Sequence, residues 1–357
     1  MNFDLSDEQL LLQDTVHQFL ESECPAARLR ELFDADDAFD PVLWKGMAEL
    51  GLAGLHLPDE YGGAGLELLD LALTAEVLGR HAAPGPFLGH ALAGLAISLG
   101  GSRAQKDCWL PRLAAGEALG TLAWAEEGRG WQPHDWSMVA DGSLSGAKQH
   151  VQSAHVADLI VVGVSGGGLA LVERGQGVSV EPTEGADRTR RLYRVSFDGA
   201  PCESLADGAR VASRVRDAAL VLLAADAFGG ASRLVEASVE YARTRRQFGV
   251  VIGQFQALKH QLADMALAVE PTRGLYWYAA HAFDHVPEEA ERSAALAKAH
   301  VTDVFMQVAR DAVEAHGGLG FTWECDVQIW FKRAMFDRAF LGTPSLHRER
   351  TAALAGW

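Results

Sequence analysis

The chain has 357 residues, 48 % hydrophobic and 22 % charged, and its 31 Lys+Arg against 48 Asp+Glu leave a formal charge of −17. These are globular proportions at a length of about two or three domains of roughly 100–200 residues. The acidic balance argues against a nucleic-acid or anionic-membrane partner, since either calls for a basic face. The four cysteines, Cys24, Cys108, Cys202 and Cys325, form no C-x-x-C pair. That pattern argues against a metal site or a disulfide framework and fits a reducing, cytoplasmic setting. The start MNFDLSDEQ lacks a basic n-region, and no run reaches about 18 uninterrupted apolar residues, so neither a signal peptide nor a membrane span is predicted.

The first predicted helix opens on Ser6-Asp7-Glu8-Gln9, an S-x-x-Q capping box flanked by Leu5 and Leu10 as a hydrophobic staple. Leu12, Val16, Phe19 and Leu20 continue it at helical spacing. Further helical stretches cover 41–52 and 68–81, and everything to about 118 reads as helical. The texture then changes to short β-type runs: 159–162, 169–172, 178–180 and 194–197, the last before an Asp198-Gly199 turn. Gly166-Gly167-Gly168 reads as a hairpin loop, and no G-x-G-x-x-G follows a strand. From about 207 the chain is helical again, over 209–245, 254–270, 271–284, 288–316 and a last helix at 326–338. The expectation is an α+β protein with an all-α domain at 1–118, an antiparallel β-sandwich or barrel at 119–206, and a four-helix bundle at 207–357.

Specific segments narrow this further. Arg245-Arg246-Gln247-Phe248-Gly249, Ile252-Gly253-Gln254-Phe255-Gln256 and His316-Gly317-Gly318-Leu319-Gly320-Phe321 resemble the signatures of the acyl-CoA dehydrogenase family. Leu57-Pro58-Asp59-Glu60-Tyr61-Gly62-Gly63 resembles its N-terminal segment, and Ala154-His155-Val156-Ala157-Asp158 and Asp187-Arg188-Thr189-Arg190 its β-domain. The resemblance spans essentially the whole chain and implies FAD, an acyl-CoA substrate and an electron-transferring flavoprotein as acceptor. It implies that Arg245 neutralises the FAD pyrophosphate and that Gly317 and Gly318 admit close backbone approach. Phe248, Gln256 and Glu314 take the accompanying positions, on an FAD that lies mainly on a neighbouring subunit. Taken alone, Gly317-Gly318 reads equally well as a helix cap, and Arg245 as a solvated arginine.

The pattern also fails in one direction. The family's base is a Glu in an E-G-T segment, or in a subgroup a Glu on the long helix. Here those positions hold Leu341 and Ala219. Asp217 faces roughly the opposite side of the helix from Ala219 and reads as a surface aspartate. Asp226 shares the face of Ala219 but lies about 10 Å further along. Positions that address the chain's own flavin ring depart too, with Ala125 and Gln152 for threonines and His150, at a strand start, for a tryptophan. This asymmetry resembles the base-lacking chain of heteromeric steroid-CoA dehydrogenases, which implies a second family chain in an α2β2 assembly. A homo-oligomer with a relocated base and a flavin-free family member stay open as alternatives.

Overall fold

The computed structural model describes residues 4–357 and runs helices, sheets, helices along the chain. The first part holds α1 (Asp7–Glu23), α2 (Ala26–Asp34), α3 (Pro41–Glu49), α4 (Leu68–Arg80), α5 (Phe87–Gly100) and α6 (Arg103–Ala114). The capping box forms as predicted. Ser6 Oγ accepts from the Gln9 amide at 3.2 Å, and Gln9 Oε1 accepts from the Ser6 amide at 3.0 Å. The flanking staple does not bury its outer member, because Leu10 remains 52 % exposed. A second box, Ser102 with Gln105, starts α6. Asp40 caps α3 with Pro41 in its first turn.

The middle of the chain forms two sheets from β1 (Gly120–Ala123), β2 (Ser143–Gln152), β3 (Leu159–Val164), β4 (Gly168–Glu173), β5 (Val178–Thr183), β6 (Leu192–Pro201) and β7 (Glu203–Ser204). Their orders are β1-β3-β4-β7 and β2-β6-β5. Leu144, Val151, Ile160, Val162, Val172, Val195 and Phe197 belong to one buried core. β3 is buried at every position, which is why it reads as an unbroken apolar run rather than an alternating one. One pair departs from the antiparallel expectation: β1 lies parallel to β3, with Gly120 opposite Leu159. The glycine run closes the β3–β4 hairpin as predicted.

Two local predictions are corrected. Asp198-Gly199 does not end its strand; both lie inside β6, where the register slips against Leu144–Gly146 and Gly199 takes φ +61°. His150 does not begin a strand. It sits near the end of β2, within a second irregularity between Lys148 and Val151, at φ +55°. Both are bulge positions, where an extra residue needs an unusual backbone conformation.

The last part holds α7 (Gly208–Thr244), the ribbon β8 (Arg246–Gln247) and β9 (Val250–Val251), α8 (Gln256–Val269), α9 (Thr272–His285), α10 (Pro287–Ala315), α11 (Val327–Ala339) and α12 (Pro344–Leu354). α10 packs against α8, α9, α11 and α12. Helix α12 was missed by the sequence reading, although Thr343 at its cap and Pro344 in its first turn are start signals. α7 passes through Gly229-Gly230 unbroken, and close approach explains the glycines. A Cβ on Gly229 would meet Glu76 O at 1.9 Å, and one on Gly79 would meet Asp226 O at 2.0 Å, so α4 and α7 touch backbone to backbone. By length and composition α7 could cross a membrane, yet 83 % of its most apolar window is buried, as in a core helix.

Contacts gather these elements into two compact units. One comprises the N-terminal segment through Leu29, Ala72–Ala83 and Leu220–Trp357; the other comprises Arg30–Leu71 and Pro84–Ala219.

Candidate functional site

In the first unit, all six residues assigned to the cofactor are gathered at one exposed end. Tyr241, near the end of α7, stacks on His316 at the end of α10 with ring centroids 4.4 Å apart. Gln261 Nε2 of α8 donates to Asp311 O of α10 at 3.4 Å. These contacts bring Arg245, Gln256, Glu314 and Gly317-Gly318 to the same end, and all five are exposed. The side chains of Arg245, Gln256 and Glu314 form no hydrogen bond or ion pair with a described residue. Gly317 takes φ +60°, and a Cβ at either glycine would meet nothing within 4 Å, so the backbone there opens onto free space.

Phe248 is the unusual member of this set. It and Gly249 make the two-residue turn of the β8–β9 ribbon, with φ +52° and +80°. That turn geometry is ordinarily filled by Asn and Gly, because a side chain at positive φ is strained. Yet the Phe248 ring is 91 % exposed, with only the edge of Phe255 beside it at a centroid distance of 6.1 Å. Leu319, Phe321 and Trp323 are also exposed, the last under Lys332 at 4.1 Å. A solvent-facing aromatic at positive φ thus stands among open polar groups at this end of the unit.

The two base positions offer no base. Ala219 is fully buried. Leu341 is 3 % exposed at φ +60°, so its loop keeps a backbone that costs a branched residue about 1–2 kcal/mol. Two buried groups hold that loop. Lys298 Nζ donates to Asp337 O, and to Arg338 O and Gly342 O at 3.4 Å, while His347 Nε2 reaches Leu341 O at 3.2 Å. Burial pushes the Lys298 ammonium down to about 7, against the pull of Asp337.

Neither neighbouring aspartate replaces the base. Asp217 is not on the surface as predicted; it is 4 % exposed and receives Arg216 Nε at 3.1 Å. Asp226 is 1 % exposed and bound in a fork by Arg333, Nε to Oδ1 at 2.9 Å and Nη2 to Oδ2 at 2.6 Å. In the fork both oxygens of Asp226 are engaged by one guanidinium inside the core, out of reach of a substrate.

In the second unit, two of the three positions expected to face the chain's own flavin ring are buried, and the third, His150, is exposed. Ala125 is 4 % and Gln152 3 % exposed, and neither amide atom of Gln152 has a hydrogen-bond partner. The imidazole of His150 has Trp131 against it, centroids 5.8 Å apart at 33°. Sequence reasoning missed what fixes this region, a buried ion pair between Lys148 Nζ and Glu126 Oε1 at 2.7 Å. Glu126 also accepts from the Ser137 amide at 3.0 Å and from the Met138 amide at 3.1 Å. Burial alone would raise the Glu126 carboxyl, but Lys148 and Ser137 hold it down to about 2. The structure shows why the pair is needed: Lys148 is buried on β2, and a buried ammonium demands a carboxylate nearby. The exposed end thus offers an unpaired guanidinium and open main chain, whereas on the strand Ala125 and Gln152 are buried and His150 is exposed beside Trp131.

A helical N-terminal part, a two-sheet middle, and a long-helix C-terminal part with an R-x-x-F-G turn define the class of acyl-CoA-oxidising flavoproteins. The chain belongs to the acyl-CoA dehydrogenase family: residues 6–117 match the family's N-terminal domain and residues 206–355 its C-terminal domain. Members of this family are FAD-dependent oxidoreductases that act on acyl-CoA. Acyl-CoA dehydrogenase IpdE2 of Mycobacterium tuberculosis is 33 % identical, over 95 % of this chain and 94 % of its own. The Tcur3481-Tcur3483 steroid acyl-CoA dehydrogenase superposes with a TM-score of 0.91 at 31 % identity, covering 98 % of both chains. The ChsE4-ChsE5 complex of M. tuberculosis superposes with a TM-score of 0.90 at 25 % identity, covering 100 % of this chain and 99 % of that one.

Proposed function

We propose that this chain is the base-lacking subunit of an FAD-dependent acyl-CoA dehydrogenase, completing the FAD site of a second, unlike family chain in an α2β2 assembly. The substrate is a bulky acyl-CoA thioester of the steroid side-chain type, and the acceptor is an electron-transferring flavoprotein. The observation that carries this reading is the contrast between the two halves of the cofactor machinery. The residues that would reach a neighbour's FAD are open and unpaired, while of those that would serve the chain's own, Ala125 and Gln152 are buried and the exposed His150 has Trp131 beside it. The similarity to a steroid acyl-CoA dehydrogenase and to the ChsE4-ChsE5 complex supports it.

Bound FAD supplies the acceptor for the β-hydride. Arg245 supplies a forked, permanently charged donor for the pyrophosphate, and Gly317-Gly318 let the dinucleotide lie against main-chain amides. Gln256 could donate or accept along its edge, Glu314 could only accept, and Phe248 would cover apolar surface and exclude water. The carboxylate that removes the α-proton belongs to the other chain, since positions 219 and 341 hold only apolar side chains here.

The test is co-purification with the partner chain followed by flavin counting. This chain alone is expected to be colourless and inactive, and the complex to hold one FAD for each pair of unlike chains. In the complex, Arg245→Ala removes charge-assisted contacts of about 1.5–3 kcal/mol and weakens FAD binding by roughly ten- to hundredfold. A yellow, active homo-oligomer, or an Arg245→Ala complex with undiminished FAD affinity, overturns the proposal.

A further inference from the structure

The tryptophan-rich loop at 124–138 has a role that the missing family residues do not by themselves explain. We infer that Trp131 is a plug: its half-buried indole lies against the exposed His150, on the face a flavin ring would need, so this chain's own ring site is obstructed as well as stripped. This rests on the reading that the chain serves a partner's FAD.

The loop is built to hold that position. At its base Glu126 grips the far end of the loop through Ser137 and Met138, and is itself gripped by Lys148. Lys148 Nζ also donates to Trp124 O at 3.2 Å and lies 5.6 Å from the centre of the Trp136 ring. The Trp136 ring lies on the backbone of Gly163 in β3, so close that a Cβ there would meet it at 2.6 Å. Within the loop, Asp135 Oδ2 accepts from the Gln132 amide at 3.0 Å, one residue beyond Trp131. The loop's two ends are thus tied to each other and to the strands, and the Gln132–Asp135 bond fixes the backbone next to Trp131, whose own side chain is half-buried.

The strand beneath is shaped to receive it. His150 holds φ +55° at a bulge, a strained conformation for a residue with a Cβ. The bulge also re-aims a side chain out of the regular alternation of β2, which is what puts the imidazole against Trp131. The two rings are tilted by 33° with their centroids 5.8 Å apart, within the range in which aromatic pairs attract one another. An isoalloxazine could take that face of His150 only by displacing the indole.

The experiment uses the full chain and free lumiflavin, the ring system without its phosphates. Trp131→Gly is expected to open a slot that binds lumiflavin at least about tenfold more tightly than wild type, read by quenching of lumiflavin fluorescence. Trp131→Phe, which keeps the slot filled, is expected to behave as wild type. Added indole should refill the Trp131→Gly slot and release lumiflavin, as cavities left by large-to-small changes take up matching ligands. A Trp131→Gly chain without added affinity overturns the plug while leaving the partner-completing role intact. A wild-type chain that retains FAD by itself overturns both. A second reading needs no cavity: with 5-fluorotryptophan at 131, the 19F line is expected to stay in place when the complex is loaded with FAD. A shift of that line means that Trp131 touches the flavin and also overturns the plug.

Discussion

Replacing Asp226 by Ala isolates what the buried pair with Arg333 does. Arg333 is fully buried, and its guanidinium is satisfied by both oxygens of Asp226 and by Ala83 O at 3.0 Å. Removing the carboxylate leaves a permanently charged, buried group short of two charge-assisted bonds, since arginine does not deprotonate in proteins. Breaking a buried pair in this way costs about 3–5 kcal/mol, well above the roughly 1 kcal/mol typical of point mutants. Replacing both partners with apolar residues of similar volume, Asp226→Leu with Arg333→Met, removes two desolvation costs together. It is expected to recover most of the loss. Urea unfolding of wild type, Asp226→Leu, Arg333→Met and the double variant, followed by circular dichroism and tryptophan emission, closes the double-mutant cycle, with Asp226→Ala measured beside them. The reasoning fails if Asp226→Ala costs less than about 1 kcal/mol, or if the double variant is weaker than the single one. A loss of turnover in Asp226→Ala with unchanged stability would point instead to a catalytic aspartate.

Gly229→Ala places a Cβ 1.9 Å from Glu76 O, so α4 and α7 must separate; little folded protein is expected, judged by soluble yield and melting temperature. The Glu126 carboxyl is held at about 2, below the ordinary 4.5, so its contribution is complete above pH 4.5 and is lost as pH falls through about 2. Glu126→Gln should therefore flatten the stability-against-pH curve in that window, and an acid-unfolding midpoint unmoved by the change would remove Glu126 from the account.

The helices were legible because their periodicity and caps are local. Ser6 with Gln9 names the start of α1 from four residues, and the long stripes of α7 and α10 survive any tertiary context. The strands were harder. β2 alternates polar and apolar residues with two bulges, and the pairing that turns His150 toward Trp131 depends on partners some forty residues away. Helix α12 was lost because Gly342-Thr343-Pro344 reads first as a breaker and only second as a cap. At the candidate site, residue types were readable but burial was not. Asp217 reads as an ordinary surface aspartate, and only the fold shows Arg216 beside it in the interior. The Asp226–Arg333 fork joins residues more than a hundred positions apart, a distance over which pattern carries no information.

The discontinuous make-up of the first unit sets an order for its assembly on the ribosome. α7 emerges with its apolar surface complete, but α10 and α11, which share its unit, are made only afterwards. At roughly 5–20 residues per second the gap lasts on the order of ten seconds. During that interval a helix with the length and hydropathy of a membrane span stands without its later neighbours. Nascent chains stalled before Ala339 should therefore recruit chaperones or signal-recognition machinery far more than the finished chain does.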